Sequence, residues 1–172
     1  YVINHYCRQI GLEFDRDGEI ARRGAICRPL LDELNGMEFY HQSGPKSLGR
    51  EWVETQVYPM LERYGLSLED KLRTFYEHAA FQIFRIINAH PSSAGNGKLL
   101  ITGGGAFNKF LVERIEALCP CQIVIPGRQI IEYKEALIFA FLGALYMADE
   151  PGCLASVTGA SMDNIGGMLF KV

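Results

Sequence analysis

The stretch GKLLITGGGAFNKFLVERIEAL, Gly97 to Leu118, decides how the chain folds. Lys98-Leu-Leu-Ile-Thr102 reads as a short β-strand and Gly103, Gly104 and Gly105 as a turn. The segment that follows sets Phe107, Phe110, Leu111, Ile115 and Leu118 on one helical face. Glycines at such a turn allow φ > 0 and let a ligand reach the backbone without meeting a Cβ, and the helix behind them offers unpaired N–H groups. A nucleotide suits that arrangement. A plain tight βα turn needs the same residues, and the stretch alone serves both readings equally.

Working outward, Ser67-Leu-Glu-Asp70 is a capping pattern. From it Leu68, Leu72, Phe75, Ala79, Ile83 and Ile86 step by three and four, which predicts an amphipathic helix of about six turns ending at Asn88. His90–Gly97 is then a loop into the central strand. Beyond the glycine stretch, Gln122–Ile125 predicts a second strand, stopped by Pro126-Gly127. Tyr133–Ala148 is apolar almost all round and predicts a buried helix with Glu135 in its first turn. An acid there complements the helix dipole. It also stands where open α/β sheets place ligand contacts, and both roles stay open. Leu154–Ala160 reads as a small-residue loop, and Gly167–Val172 as a last short strand.

Towards the N-terminus the pattern is helical and broken. A first helix with Val2, Tyr6 and Ile10 inward stops at Gly11, Phe14–Gly18 is turn-like, and a short helix around Glu19–Arg23 ends at Gly24. Arg28-Pro29 starts another, with Leu30, Leu31 and Leu34 as its apolar face. The charges of this region read as a solvated face. Ser43–Glu51, SGPKSLGRE, is a polar loop in which Lys46, Ser47 and Arg50 could meet phosphate or sugar hydroxyls, with freedom at Gly44 and Gly49. It lacks the G-x-x-x-x-G-K-[ST] phosphate loop, and by spacing alone a plain helix start accounts for it better. The next helix turns Val53, Val57, Met60, Leu61 and Tyr64 inward, and Pro59 should kink or divide it before Gly65.

Composition narrows the classes. With 172 residues, 48% of them hydrophobic, the chain suits one domain with a sizeable core, and it has no apolar run long enough to span a bilayer. A net charge of −3 with no basic stripe argues against a nucleic-acid partner. Five cysteines form no disulfide framework, which points to a reducing cytosol. The four histidines share no metal-ligand spacing with them, so no metal ligands are assigned. A helix that begins at Tyr1 without a cap suggests a piece of a longer protein.

The glycine turn fails the dinucleotide fingerprint, because Asn108 stands where a third glycine is needed and Pro126-Gly-Arg128 where an acid should follow the next strand. It resembles instead the adenosine-side motif in the second lobe of the actin-like sugar and acetate kinases. Within that superfamily the chain is similar to the anhydro-N-acetylmuramic acid kinases. GPKSLGRE resembles their P-K-S-T-G-R-E loop, FDRDGEIARRG their Y/F-D-x-D/G-G-x-x-A-x-x-G segment, and ITGGGAFN their glycine turn. KEALIFAFLG and LASVTGA resemble their E-A-x-x-F-A helix and S-V-T-G-A tail.

The resemblance implies an α/β fold of actin-like (ribonuclease H-like) type, helix-rich with a small sheet. Residues 1–172 would be the single C-terminal lobe of a two-lobed kinase whose N-terminal lobe lies outside the chain. It implies a cytoplasmic enzyme using ATP and Mg²⁺ on an amino sugar, with no nucleic-acid or membrane partner; a homodimer is compatible with it. Gly103, Gly104, Gly105 and Asn108 would form the nucleotide turn, Glu135 would meet the sugar, and Lys46, Ser47, Gly49 and Arg50 would face the interlobe cleft. Leu48 stands where the family usually has threonine, which removes any hydroxyl contact there. The first phosphate motif, the sugar-binding arginine and the water-activating aspartate would belong to the other lobe. A related kinase for another sugar or small acid, and a non-enzymatic nucleotide-binding or assembly module, remain the other classes.

Overall fold

The computed structural model describes residues 1–43, 46–89, 97–168 and 170. They form a helix-rich α/β chain that divides into two compact units, residues 1–42 with 48–126 and residues 43–47 with 127–172.

The first unit is built on one long helix. Its elements are α1 (Val2–Gln9), a 3₁₀ turn (Arg16–Gly18), α2 (Glu19–Arg22), α3 (Arg28–Asn35), α4 (Glu38–His41), α5 (Arg50–Trp52), α6 (Tyr58–Arg63), α7 (Leu68–Ala89), β1 (Lys98–Leu100), a second 3₁₀ turn (Gly104–Phe107), α8 (Lys109–Leu118) and β2 (Gln122–Val124). The Ser67 hydroxyl accepts from Asp70 N at 3.1 Å and opens α7 as its sequence predicts. Pro59 has no N–H to give, and the backbone before it, Val53–Val57, is wound as a π-helical segment. Val57 and Leu61 on either side of that junction are buried.

Tyr6, Leu30, Leu34, Leu61, Leu72 and Tyr76 fill the main core. A second cluster joins the later half of α7 to α8 and the sheet through Ala80, Ile115 and Cys119, with Ile83, Leu99 and Ile123 against them. The sheet is two parallel strands in the register Lys98↔Gln122, Leu99↔Ile123 and Leu100↔Val124.

The buried side of α7 differs from the predicted stripe. Thr74, Tyr76 and His78 are buried beside Leu72 and Ala80, whereas Ile86 is 59% exposed. Helices pack against α7 from more than one side, and hydrogen bonds let polar residues enter that packing. In the glycine stretch Phe107 falls in the 3₁₀ turn and is exposed, and Val112 takes a buried place on α8.

The second unit contains α9 (Arg128–Met147) and α10 (Ala155–Thr158). Three expectations change here. The apolar helix exists, but this unit does not bury it: Leu137, Phe139 and Phe141 are all exposed, and Ile131 is the buried residue of the helix. The small-residue loop contains the helical turn α10, whose first N–H is accepted by Asp163 Oδ1 at 2.6 Å and which Gly159 ends in a left-handed conformation. Gly167 and Met168 are not in a strand, and an isolated antiparallel bridge joins Cys153 to Asn164; the rest of the predicted last strand is Leu169, Lys171 and Val172, outside the described residues, together with Phe170, also not in a strand. No described helix is long and apolar enough to cross a membrane.

Candidate functional site

The glycine turn stands where β1 hands over to α8. Gly103 has φ +76°, a conformation that suits glycine, and its carbonyl accepts from Ala106 N at 3.0 Å. Gly104 and Gly105 have ordinary φ signs and are exposed. A Cβ built on Gly104 meets nothing within 4 Å, and one on Gly105 meets only Leu111 Cδ2 at 3.7 Å. Within the turn, the backbone conformation therefore asks for glycine at Gly103 alone, and the chain's own packing asks for it at none of the three. At Gly104 the bare backbone is open to whatever lies outside it.

Asn108 closes the turn, and its amide is engaged on both sides. Its Oδ1 accepts from Leu111 N at 2.9 Å, the N-cap of α8, while Nδ2 donates to the Tyr76 hydroxyl at 2.6 Å and to Asp15 O at 3.2 Å. Asp15 is thus no solvated charge: it is 2% exposed, and its carboxylate accepts from Ile20 N at 2.9 Å and Ala21 N at 3.2 Å, capping α2. Tyr76 is fully buried, and burial followed by the nearby negative charge of Asp15 pushes the phenol well above its ordinary range, so it keeps its proton. Neither Asp15 nor Tyr76 is singled out by the sequence reading. The available signal was the shared position of Asp15 in FDRDG; Tyr76 carries none, because its partners lie 32 and 61 positions away.

In the polar loop, Gly44 and Pro45 lie outside the described residues. Gly49 precedes α5, and Arg50 Nε donates to Glu54 Oε1 at 2.6 Å while its guanidinium lies over the Tyr1 ring, 5.5 Å from the centroid. That bond holds the Glu54 carboxyl below the usual range. Lys46 and Ser47 belong to the second unit, as does Glu135. Because α9 starts at Arg128, straight after Pro126-Gly127 and with an Arg128–Glu132 ion pair in its first turns, Glu135 lies about two turns into the helix and is exposed. The first-turn dipole role expected for it does not apply, since that effect is confined to the terminal turn. Among the described residues no group of three His, Cys, Asp or Glu side chains could hold a metal ion.

The structure brings Gly103, Gly104, Gly105 and Asn108 together with Asp15 and Tyr76 in the first unit, where Gly49 and Arg50 also lie. A family model, anhydro-N-acetylmuramic acid kinase, matches residues 3–172.

Proposed function

The chain belongs to the anhydro-N-acetylmuramic acid kinase family, and from that membership we propose that it is the C-terminal lobe of a kinase that uses ATP and Mg²⁺ on 1,6-anhydro-N-acetylmuramic acid. In this reading water adds to the anomeric carbon as the 1,6-anhydro bridge breaks, and the freed O6 takes the γ-phosphoryl group of ATP. The products are N-acetylmuramic acid 6-phosphate, ADP and a proton.

The observation that carries the nucleotide half is the open backbone of Gly104 ahead of a capped helix. A side chain there would offend nothing in the chain, so its absence fits a ligand lying against the backbone. Gly103, Gly104 and Gly105 receive the adenosine side of ATP, and Asn108 holds the turn. Glu135, exposed on its helix and without the dipole role, supplies a charged acceptor for sugar hydroxyls. Lys46, Ser47, Gly49 and Arg50 face the cleft between the lobes. Mg²⁺ supplies charge neutralisation at the phosphates when bound. Phosphoryl transfer depends on positioning and on such neutralisation, so residues 1–172 alone bind weakly and do not turn over. Assay of the complete gene product with the anhydro-sugar and ATP tests the reading: ATP-dependent formation of the 6-phosphate is expected, and turnover confined to another sugar or acid, or none at all, would overturn it.

A further inference from the structure

The corner Phe14–Gly18 is the motif for which the reaction has so far found no use. It sits against the start of α8. Gly18 has φ +73°, and a Cβ there would lie 2.3 Å from Phe110 Cβ and 2.9 Å from Asn108 Oδ1, so its backbone rests directly on the helix start. Lys109 Nζ also meets Asp17 Oδ2 at 3.3 Å. Between them, Asp15 fixes two groups at once. Its carboxylate caps α2, and its carbonyl receives one of the Asn108 Nδ2 bonds. The Tyr76 hydroxyl completes the arrangement, accepting from Asn108 Nδ2 at 2.6 Å, with its ring against Phe110 at 5.7 Å between centroids.

The orientation of the Asn108 amide is thereby set by partners on three separate segments, 93 and 32 positions upstream and three downstream. A plain N-cap needs only the last of these. The other two tie the end of the glycine turn to the middle of the longest helix in the first unit and to the corner before α2. A two-stranded sheet of three-residue strands gives the turn little rigidity by itself. Sites that bind through bare backbone depend on where that backbone stands, because small misplacements of a supporting shell are costly.

We propose that Asp15 and Tyr76 are positioning residues for nucleotide binding, holding Asn108 so that the Gly103–Gly105 turn is presented to ATP in one fixed place. This rests on the reading of that turn as the nucleotide site. The test uses the full-length protein with Tyr76→Phe, Asn108→Ser and the double variant, and measures ATP affinity by direct titration, KM for ATP and for the anhydro-sugar, and melting temperature. Tyr76→Phe keeps the ring and removes the hydroxyl; serine keeps a capping oxygen but cannot reach both upstream partners. Each single variant should weaken ATP binding roughly three- to tenfold, about what one or two hydrogen bonds supply. The sugar KM should stay within about twofold, and the double variant should lose little more than either single change, as groups in one network do.

A lowered melting temperature with unchanged ATP affinity, or equal weakening toward ATP and sugar, would return both residues to a purely structural role. If Tyr76→Phe does not fold, Asn108→Ser decides by the same readouts. Gly104→Val separates the two layers of the argument: normal ATP binding in that variant removes the nucleotide reading and the positioning role with it. Weakened binding in Gly104→Val beside normal binding in Tyr76→Phe and Asn108→Ser removes the positioning role alone.

Discussion

Two glycines of the same neighbourhood lack a side chain for opposite reasons. At Gly18 both the left-handed backbone and the nearness of Phe110 oppose a methyl group, so Gly18→Ala should cost about 2–4 kcal/mol by urea unfolding. At Gly104 nothing in the chain opposes one, and Gly104→Ala should leave stability unchanged or raise it by about 0.4–1 kcal/mol through the unfolded state. If ATP lies against that backbone, the valine variant weakens ATP binding in the complete protein far more than sugar binding; parallel losses in both would exclude the assignment. Glu135 is the converse case. It is exposed and away from the first turn of α9, so Glu135→Ala should move stability by no more than about 0.5 kcal/mol. As a charged acceptor for sugar hydroxyls its loss should cost roughly 1.5–3 kcal/mol, on the order of tenfold to a hundredfold in kcat/KM for the sugar. Normal sugar kinetics would take Glu135 out of the site.

At the scale of elements, α3, α4 and α7 meet at His78. Its Nδ1 donates to Asn35 Oδ1 at 2.8 Å, which also accepts from Gln82 Nε2 at 2.9 Å, and its Nε2 faces the Tyr40 hydroxyl at 3.0 Å. Both ring nitrogens are engaged with the imidazole neutral, and burial pulls its pKa from 6.5 down to about 4. Tyr40 is the ionisable group hydrogen-bonded to this ring, and on the same elements Arg85 and His41 stand 3.4 Å apart. Since the unfolded chain takes up this proton at 6.5 and the folded one only near 4, stability is complete above 6.5 and falls as pH drops through that window, by about 3 kcal/mol in all. His78→Gln should abolish the decline between pH 6.5 and 4.5. The steeper loss at lower pH should remain, because Arg63, Lys71 and Arg22 hold the carboxyls of Glu33, Glu62 and Glu113 below their ordinary range. An unchanged profile in the variant would mean that His78 is not the group responsible.

The same helix shows what apolar stepping can and cannot reveal. The Ser67 cap, the length of α7, the strand–glycine–helix order and the break at Pro59 were legible because each is a local rule. Thr74, Tyr76 and His78 were not, since a buried polar residue looks like a surface one until its partner is known, and the partners lie in other elements. For the site, the glycine turn was legible and the register of Glu135 was not. The acid was placed by the first strongly apolar residue, Tyr133, whereas the helix begins at Arg128, where Pro126-Gly127 releases the chain.

At the scale of the whole molecule the telling element is α9, whose Tyr133, Leu137, Phe139, Phe141 and Met147 are each more than 60% exposed. Covering one such side chain is worth about 1.5–3 kcal/mol, so a helix this apolar is expected to meet a further surface in the working protein. On the proposed reading of the chain as one lobe of a two-lobed kinase, that surface lies in the remainder of the protein. Phe139→Asp then has opposite effects in two settings. In the complete protein it puts a carboxylate into a packed interface and should destabilise by about 3–5 kcal/mol, the scale of losing a buried phenylalanine. In residues 1–172 alone it should shift stability by less than about 0.5 kcal/mol while reducing self-association and the binding of a hydrophobic dye, both read by light scattering and fluorescence. Equal and small effects in the two settings would show that α9 stays bare in the complete protein, and the single-lobe reading would lose the support it draws from this helix.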